Sequence, residues 1–478
     1  MNYLIFTLIF VTGLLIVLLI SDKFSLGERL GLTPLLGLGY TTFLMFFLDA
    51  AGMGIRYSNV VAALLATITV AGAGLAFLYI KKLRRFELFP NEKPSLAGIN
   101  LPWAVFFVFG LYLAYGITVK CLYWPPAEFD SIEGYDLLAK AIAHEGTIAN
   151  SVLLNPQIVA GCGPRLLYPP LFASCNAICY MSGMESPKLI TAIFFLSWLV
   201  LLYSLIKRFV PHTAAIFATF MTMIAPEMFA NASFTLTNYP TAVYSAAAVL
   251  SFYIWHERRI DGFFYLSIIT LLFATWTRSD GVVFYPAIML VLLYDAWKTK
   301  TVKRILTYGI VSIIPFILWH FYLTSHIERQ QDSFFIKKLF FDTAKLGQVW
   351  DAAKKMLFET QLYGIVFHFF VGVIVLNVLY KLYLFLSANQ EKRKNIFQAD
   401  DRFSFLVVFF GGWFLYTLLF YQMKNTDGSL FAPGGWMLSG YKRGMFSFVP
   451  LAMFYFVANP LAMWLYAKLS SWASNGNS

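Results

Sequence analysis

Apolar stretches of roughly 20 residues recur along almost the whole chain, and a helix of that length is what a bilayer core about 30 Å thick requires. They lie near residues 2–20, 30–50, 58–80 and 101–122, then near 187–206, 212–230, 238–255, 262–277, 281–297 and 303–323. Three more lie near 362–386, 403–422 and 443–466. In hydrocarbon every backbone donor and acceptor must be satisfied internally, so such runs read as helices. The fold class expected is an all-α integral membrane bundle of about 13 spans. Amphipathic helices at the membrane surface are expected in its external loops.

Composition agrees. Of 478 residues, 59% are hydrophobic and only 13% charged, where a soluble domain carries about a quarter. The net charge of +11 does not point to nucleic acid, because Lys and Arg gather at the ends of apolar runs. Anionic cytoplasmic leaflets and the positive-inside rule produce that placement. The first run, Tyr3 to Ile20, lacks a basic leader and a small-residue cleavage site, so it is expected to be a retained span. Cys121, Cys162, Cys175 and Cys179 form no Cys-x-x-Cys pair; Cys175 and Cys179 read as small buried residues on one helical face.

The sharpest orientation signal is Lys81-Lys82-Leu83-Arg84-Arg85, expected inside. Counting from it puts the N-terminus outside and the C-terminus in the cytoplasm. Lys207-Arg208, His256–Arg259, Lys298–Arg304 and Lys392-Arg393-Lys394 then all fall inside. External loops are expected at about 124–186, 324–361 and 423–442. Residues 1–100 read as three additional spans before a core at 101–478.

The first external loop is the longest polar passage. Glu128, Asp130, Glu133, Asp136, His144 and Glu145 are packed into it, and Ile132, Leu137, Leu138, Ala141 and Ile142 recur near helical spacing. That predicts a short amphipathic helix on the membrane surface from about Ser131, its acidic face to water. Pro125-Pro126 ends the preceding span, so Asp130 emerges at the membrane–water boundary, where a carboxylate is a candidate general base. The apolar piece from Leu171 to Met181 is expected to lie on the surface or insert half-way. The second long loop carries Phe334, Phe335, Leu339, Phe340, Leu346, Trp350, Met356 and Leu357 among Lys and Asp. It reads as one or two interfacial helices. The last loop, with Phe431, Gly434-Gly435-Trp436 and Tyr441, reads as an aromatic cover or a plain linker.

On this topology polar residues converge on the outer face: Asp130, Glu133, Arg165, Tyr168, Asn238, Arg278, Asp280, Lys442 and Arg443. Arg278 and Asp280 stand out, because Thr277–Gly281 links two apolar helices with hardly any loop. Full insertion of such a charge costs about 2.5–3.5 kcal/mol on insertion scales. They either pair with each other or hold an anion such as a lipid phosphate. His144 beside Glu145, with His326 and Glu328 elsewhere outside, offers no close metal-ligand spacing. No cofactor is required by the pattern, and a divalent metal stays open. His320 and His368 read as bundle histidines.

The order of these elements resembles the GT-C glycosyltransferases over roughly 101–466. It comprises an acidic motif after an early span, Tyr168-Pro169-Pro170-Leu171, a Thr277-Arg-Ser-Asp-Gly281 turn and a late external Arg443. Within that superfamily it is most similar to the branch of protein O-mannosyltransferases and lipid A aminoarabinose transferases. The resemblance implies a polyprenyl-phosphate-linked sugar donor, a lipid, glycan or protein acceptor, and chemistry at the external face. It implies Asp130, with Glu133, as the acidic residue acting on the acceptor. It implies Arg278, Arg443 and Lys442 as donor-phosphate residues, with Arg165, Tyr168, Asn238 and Asp280 around the substrate. Asn238 departs from the Thr-Asp that relatives often carry there, which puts a metal or second-carboxylate role at that position in doubt. If the source is a Gram-negative bacterium, the membrane is the inner one and the site faces the periplasm. A transporter or flippase, a lipid-linked polymerase or ligase, and a membrane scaffold are the rival readings. A transporter should carry broken helices in two repeated halves with charges near mid-membrane, whereas here the charges gather at one face.

Overall fold

A computed structural model describes residues 3–83, 100–327, 341–387, 402–423, 431, 435 and 437–475. Every element among them is helical. The helices are α1 Leu4–Ile20, α2 Leu26–Ala50, α3 Tyr57–Ile80, α4 Leu101–Tyr123, α5 Asp136–Glu145, α6 Ser151–Leu154, α7 Pro156–Cys162 and α8 Leu171–Met181. They continue as α9 Lys188–Lys207, α10 His212–Met223, α11 Pro226–Asn231, α12 Asn238–Arg258, α13 Asp261–Thr277, α14 Phe284–Thr299 and α15 Lys303–His326. The last group is α16 Thr343–Leu357, α17 Thr360–Tyr363, α18 Val366–Ser387, α19 Arg402–Gln422, α20 Lys442–Gly444, α21 Val449–Ala458 and α22 Pro460–Asn475.

The all-helical class stands, but the span count of 13 does not follow. Among the described residues 8 helices are long and apolar enough to cross a membrane, and α21 with α22, bent by 45°, makes a ninth as a broken span. The remaining expected spans fall short for separate reasons. α1 and α13 are apolar but only 17 residues long. The run at 212–230 breaks at Ala225-Pro226 into α10 and α11, because proline cannot continue the ladder. α12 carries Asn238, Ser245, Ser251 and three tyrosines, and its residues from Asn238 to Trp255 are all buried. It is therefore the bundle's central post, shielded from lipid by its neighbours. The bend before α22 is chemically satisfied: Asn377 on α18 donates to the Asn459 amide oxygen at 3.0 Å and accepts from the Leu461 N–H at 3.1 Å. Freed backbone groups at membrane depth need such partners.

The first helices pack tightly. Gly13 of α1 and Gly37 of α2 let the two backbones touch: a Cβ on Gly37 would overlap the Ile9 carbonyl, and one on Gly13 the Thr33 carbonyl. Small residues at a crossing gain van der Waals contact where lipid supplies no hydrophobic drive. Phe43 stacks on Trp276 of α13 at 4.5 Å between centroids, and the Tyr244 hydroxyl of α12 donates to the Leu35 carbonyl at 2.7 Å. Gly37→Val is accordingly expected to lower stability by about 1–3 kcal/mol, the usual cost of overpacking. Thermal unfolding in detergent checks it, and an unchanged midpoint would refute the close crossing.

Helix direction sorts the charges between two ends. At the end where α2 and α13 start and α12 and α14 finish, Arg208 pairs with Glu28, Arg259 with Asp295 at 2.6 Å, and Arg304 with Asp261 at 3.3 Å. The opposite end carries Asp49, Asp130, Arg278 and Asp280. Arg84, Arg85 and Lys392-Arg393-Lys394 lie outside the described residues.

The first loop differs from the expected surface helix. α5 is amphipathic with Lys140, His144 and Glu145 exposed, as expected, but its acidic face is not all turned to water. Asp136 is buried, hydrogen-bonded by the Tyr180 hydroxyl of α8 and paired with Lys140 at 2.8 Å. α8 in turn is buried from Leu171 to Cys179, so it is a core element rather than a surface-lying one. At 11 residues it is too short to span. Cys175 and Cys179 are buried and unpaired, as expected of small packing residues. In the second loop α16 is amphipathic, with Val349, Ala353 and Met356 turned inward and Asp342 capping its first turn. Phe334, Phe335, Leu339, Phe340 and Glu328 lie outside the described residues, as do Gly434 and Trp436.

Candidate active site

Asp130 is the hub of the polar end. After Pro125-Pro126 the chain turns through a single wide π-helical turn, Ser131–Tyr135, before α5. π turns are uncommon and gather at functional sites. The turn leaves Asp130 between two arginines from distant parts of the chain. Arg165 Nε reaches one carboxylate oxygen at 2.7 Å and Arg443 Nη1 the other at 2.6 Å. Glu133 is a second, looser partner of Arg165 at 3.7 Å. Gly134 makes the approach possible, since a Cβ there would come within 2.9 Å of the Arg165 Cβ. Arg165 also lies over the Phe129 ring at 4.6 Å. The three side chains keep about a quarter of their surface exposed (24–28%), so the cluster opens to whatever fills the space above it.

Arg278 and Asp280 form the second cluster. The turn between α13 and α14 is short because Gly281 lies against the α13 backbone, where a Cβ would meet the Ala274 carbonyl at 2.6 Å. Arg278 is extended, and its guanidinium takes Asp280 bidentately at 2.9 Å through both nitrogens. Arg278 lies over the Tyr168 ring at 4.5 Å and donates to the Thr237 hydroxyl at 3.4 Å. The Thr237 hydroxyl in turn donates a hydrogen bond to the Tyr135 hydroxyl at 3.1 Å. Burial works against the Arg278 charge, but Asp280, Tyr168 and Tyr135 together outweigh it and raise the pKa further. The guanidinium is therefore a permanent cation.

Tyr168 joins the clusters. Burial pushes its phenol up; Arg278 opposes that rise, while Asp280 and Asp130 add to it. Its ring carries Arg278 on one side and stacks at 6.3 Å on Tyr135, a residue of the turn that follows Asp130. Beside it a small hollow is lined by the polar Asn238, Thr241, Ser245, Arg278 and Asp280 and by the apolar Val283, Phe284 and Phe448. The structure thus brings Asp130, Glu133, Arg165, Tyr168, Arg278, Asp280 and Arg443 to one end of the bundle, with Asn238 in the hollow beside Arg278 and Asp280.

Residues 169–321 match the family model of dolichyl-phosphate-mannose-protein mannosyltransferase. The resemblance read from the sequence is shown over that segment. The match covers less than half of the chain, takes in Asn238, Arg278 and Asp280, and points to a membrane glycosyltransferase. Asp130, Arg165 and Arg443 lie outside it. No curated protein and no solved structure matches the chain.

Three candidates, Lys442, His144 and Glu145, stand outside the two clusters. The Lys442 ammonium is on Glu227 of α11, an ion pair with side chains 28% and 13% exposed. His144 and Glu145 stand apart from the arginines: Glu145 accepts from the Ser151 N–H at 2.8 Å and so caps α6. His326 bonds the Tyr322 carbonyl at 2.9 Å. Among the described residues no three His, Cys, Asp or Glu come together as a metal site.

Glu227 was not singled out in the sequence. The signal for it was an acid placed directly after a proline inside an apolar run, Ala225-Pro226-Glu227. Asn231 donates to its carboxylate at 3.1 Å, and Tyr363 donates to the Lys442 carbonyl at 2.7 Å. Side chain and backbone of Lys442 are thus both held, which aims its neighbour Arg443 at Asp130. Glu227→Ala is expected to cost about 1–2 kcal/mol of stability, because it leaves an ammonium that is 28% exposed with only water as partner. Chemical denaturation of the purified protein checks this, and Glu227→Ala/Lys442→Met should recover most of the loss.

Proposed function

We propose that the protein is a membrane glycosyltransferase of GT-C type that moves a sugar from a polyprenyl-phosphate carrier to a lipid, glycan or protein hydroxyl at the external membrane face. The observation that carries this reading is the placement of Asp130 between Arg165 and Arg443, with Tyr168 linking it to Arg278, at one end of a membrane bundle that matches a mannosyltransferase model.

The chemistry follows from those groups. The acceptor hydroxyl gives its proton to Asp130 as its oxygen attacks the anomeric carbon. The bond from that carbon to the phosphate oxygen breaks, with inversion, and polyprenyl phosphate leaves with the electron pair. Each Asp130 oxygen spends one lone pair on an arginine and keeps another for the acceptor. Arg443 and Arg278 supply fixed positive charge where the phosphate gains negative charge, the largest single lever in many enzymes. The Nε–Nη2 edge of Arg278 is taken by Asp280, so Arg278 acts on the phosphate mainly through its charge. Arg443 gives only Nη1 to Asp130 and keeps N–H groups for the phosphate. The prenyl tail lies against the apolar flank while the sugar projects into water.

Purified protein in nanodiscs, given a panel of radiolabelled polyprenyl-phosphate sugars and membrane acceptors, should release polyprenyl phosphate and label an acceptor. Failure with every donor, together with flux of a lipid-linked substrate in proteoliposomes, would replace the transferase with a transporter.

A further inference from the structure

We propose that the N-terminal helices brace the substrate wall of this site, and that Asp49 is the positioning residue through which they act. The inference rests on the transferase reading for its consequence, but not for its geometry. Asp49 lies in the last turn of α2, and one of its carboxylate oxygens accepts twice: from the Tyr322 hydroxyl of α15 at 2.9 Å and from the Ile148 backbone N–H at 3.1 Å. Directly after α2, the Ile55 N–H donates to the Gly146 carbonyl at 2.6 Å. Gly146 adopts a left-handed φ of 74° at the end of α5, a conformation that favours glycine. The connector that leaves α5 is therefore held at two points by the N-terminal helices. α5 itself begins in the turn that presents Asp130.

A second route leads to Tyr168. Tyr322 stacks on Trp319 at 5.5 Å between centroids, and the Trp319 indole donates to the Leu167 carbonyl at 2.9 Å. Leu167 precedes Tyr168, whose ring carries Arg278. Asp49 thus orients Tyr322, Tyr322 steadies Trp319, and Trp319 fixes the backbone beneath the aromatic floor of the Arg278 site. Helices serving only as a membrane anchor would need none of these directed bonds, since apolar packing alone holds an anchor. The polar links run from the N-terminal helices to the connector after α5 and to the strip beside Tyr168.

Full-length protein in nanodiscs, as wild type, Asp49→Ala and Asp49→Asn, tests the brace by hydrogen exchange and by binding of polyprenyl phosphate. Asp49→Ala should speed exchange of the Ile148 N–H by about tenfold, as loss of a hydrogen bond to a charged acceptor implies. The effect should stay within residues 146–151 and 165–170. The same variant should weaken polyprenyl-phosphate binding several-fold, and Asp49→Asn, whose amide oxygen accepts from the same donors, should restore both. Unchanged exchange at Ile148 in Asp49→Ala would overturn the proposal. So would faster exchange across the whole bundle, or an Asp49→Asn variant as impaired as Asp49→Ala. If wild type binds no polyprenyl phosphate, the transferase reading falls and the exchange pattern alone still decides the brace.

Discussion

Asp130→Asn is expected to lower sugar transfer by about 10²–10⁴-fold, the range a positioned general base contributes, while polyprenyl-phosphate binding persists. The substitution keeps the shape of the side chain and one oxygen for Arg443 or Arg165, but removes the charge that accepts the proton. Both arginines lose their shared counter-ion, held now at 2.7 and 2.6 Å. Because the three side chains are about a quarter exposed (24–28%), water replaces much of what is lost, and the fold should survive. Single-turnover transfer alongside thermal unfolding separates the outcomes. Loss of transfer with an unchanged unfolding midpoint assigns Asp130 to the chemistry. Equal transfer would remove it as the base and leave the mannosyltransferase match untouched.

Arg278→Leu should do two things at once. It leaves the partly buried Asp280, 21% exposed, without its partner, which costs about 1–3 kcal/mol, and it removes the proposed phosphate ligand. The double variant Arg278→Leu/Asp280→Leu separates these effects, since taking out both charges restores most of the stability without restoring the cation. Polyprenyl phosphate should bind neither variant, and Arg278→Lys should bind weakly, because an ammonium is a point charge without the planar fork that takes Asp280. A double variant that binds like wild type would show that Arg278 is only half of a structural ion pair.

Much of the fold is legible along the chain. Backbone satisfaction in hydrocarbon is a local demand, so a run of apolar residues declares its helix without reference to the rest of the molecule. The boundary at Pro125-Pro126 is local too, because proline removes a donor from the ladder. The breaks at Ala225-Pro226 and Asn459-Pro460, inside runs that read as single spans, are not, since Pro34 and Pro315 sit within unbroken helices. What a helix faces is less local: α12 has the length of a span, yet its residues from Asn238 to Trp255 are all buried, so its polar side chains face the bundle. α5 and α8 show the same limit. The periodicity of α5 announces an apolar face, but not that Asp136 would be buried against Tyr180.

What the sequence determined by itself was an all-helical membrane chain and the residue types gathered in its polar loops, Asp130, Arg165, Arg278 and Arg443 among them. Only the tertiary structure decided which of them meet. Asp130 and Arg443 are 313 residues apart, and Asp49 and Tyr322 are 273 apart. No local rule reaches over such distances. In a soluble helix the apolar face marks the side that packs, whereas a membrane helix is apolar toward lipid and core alike. The chain therefore carries no periodic signal for which face turns inward. Close glycine crossings, buried ion pairs and directed hydrogen bonds make that choice, and they exist only once the helices have assembled.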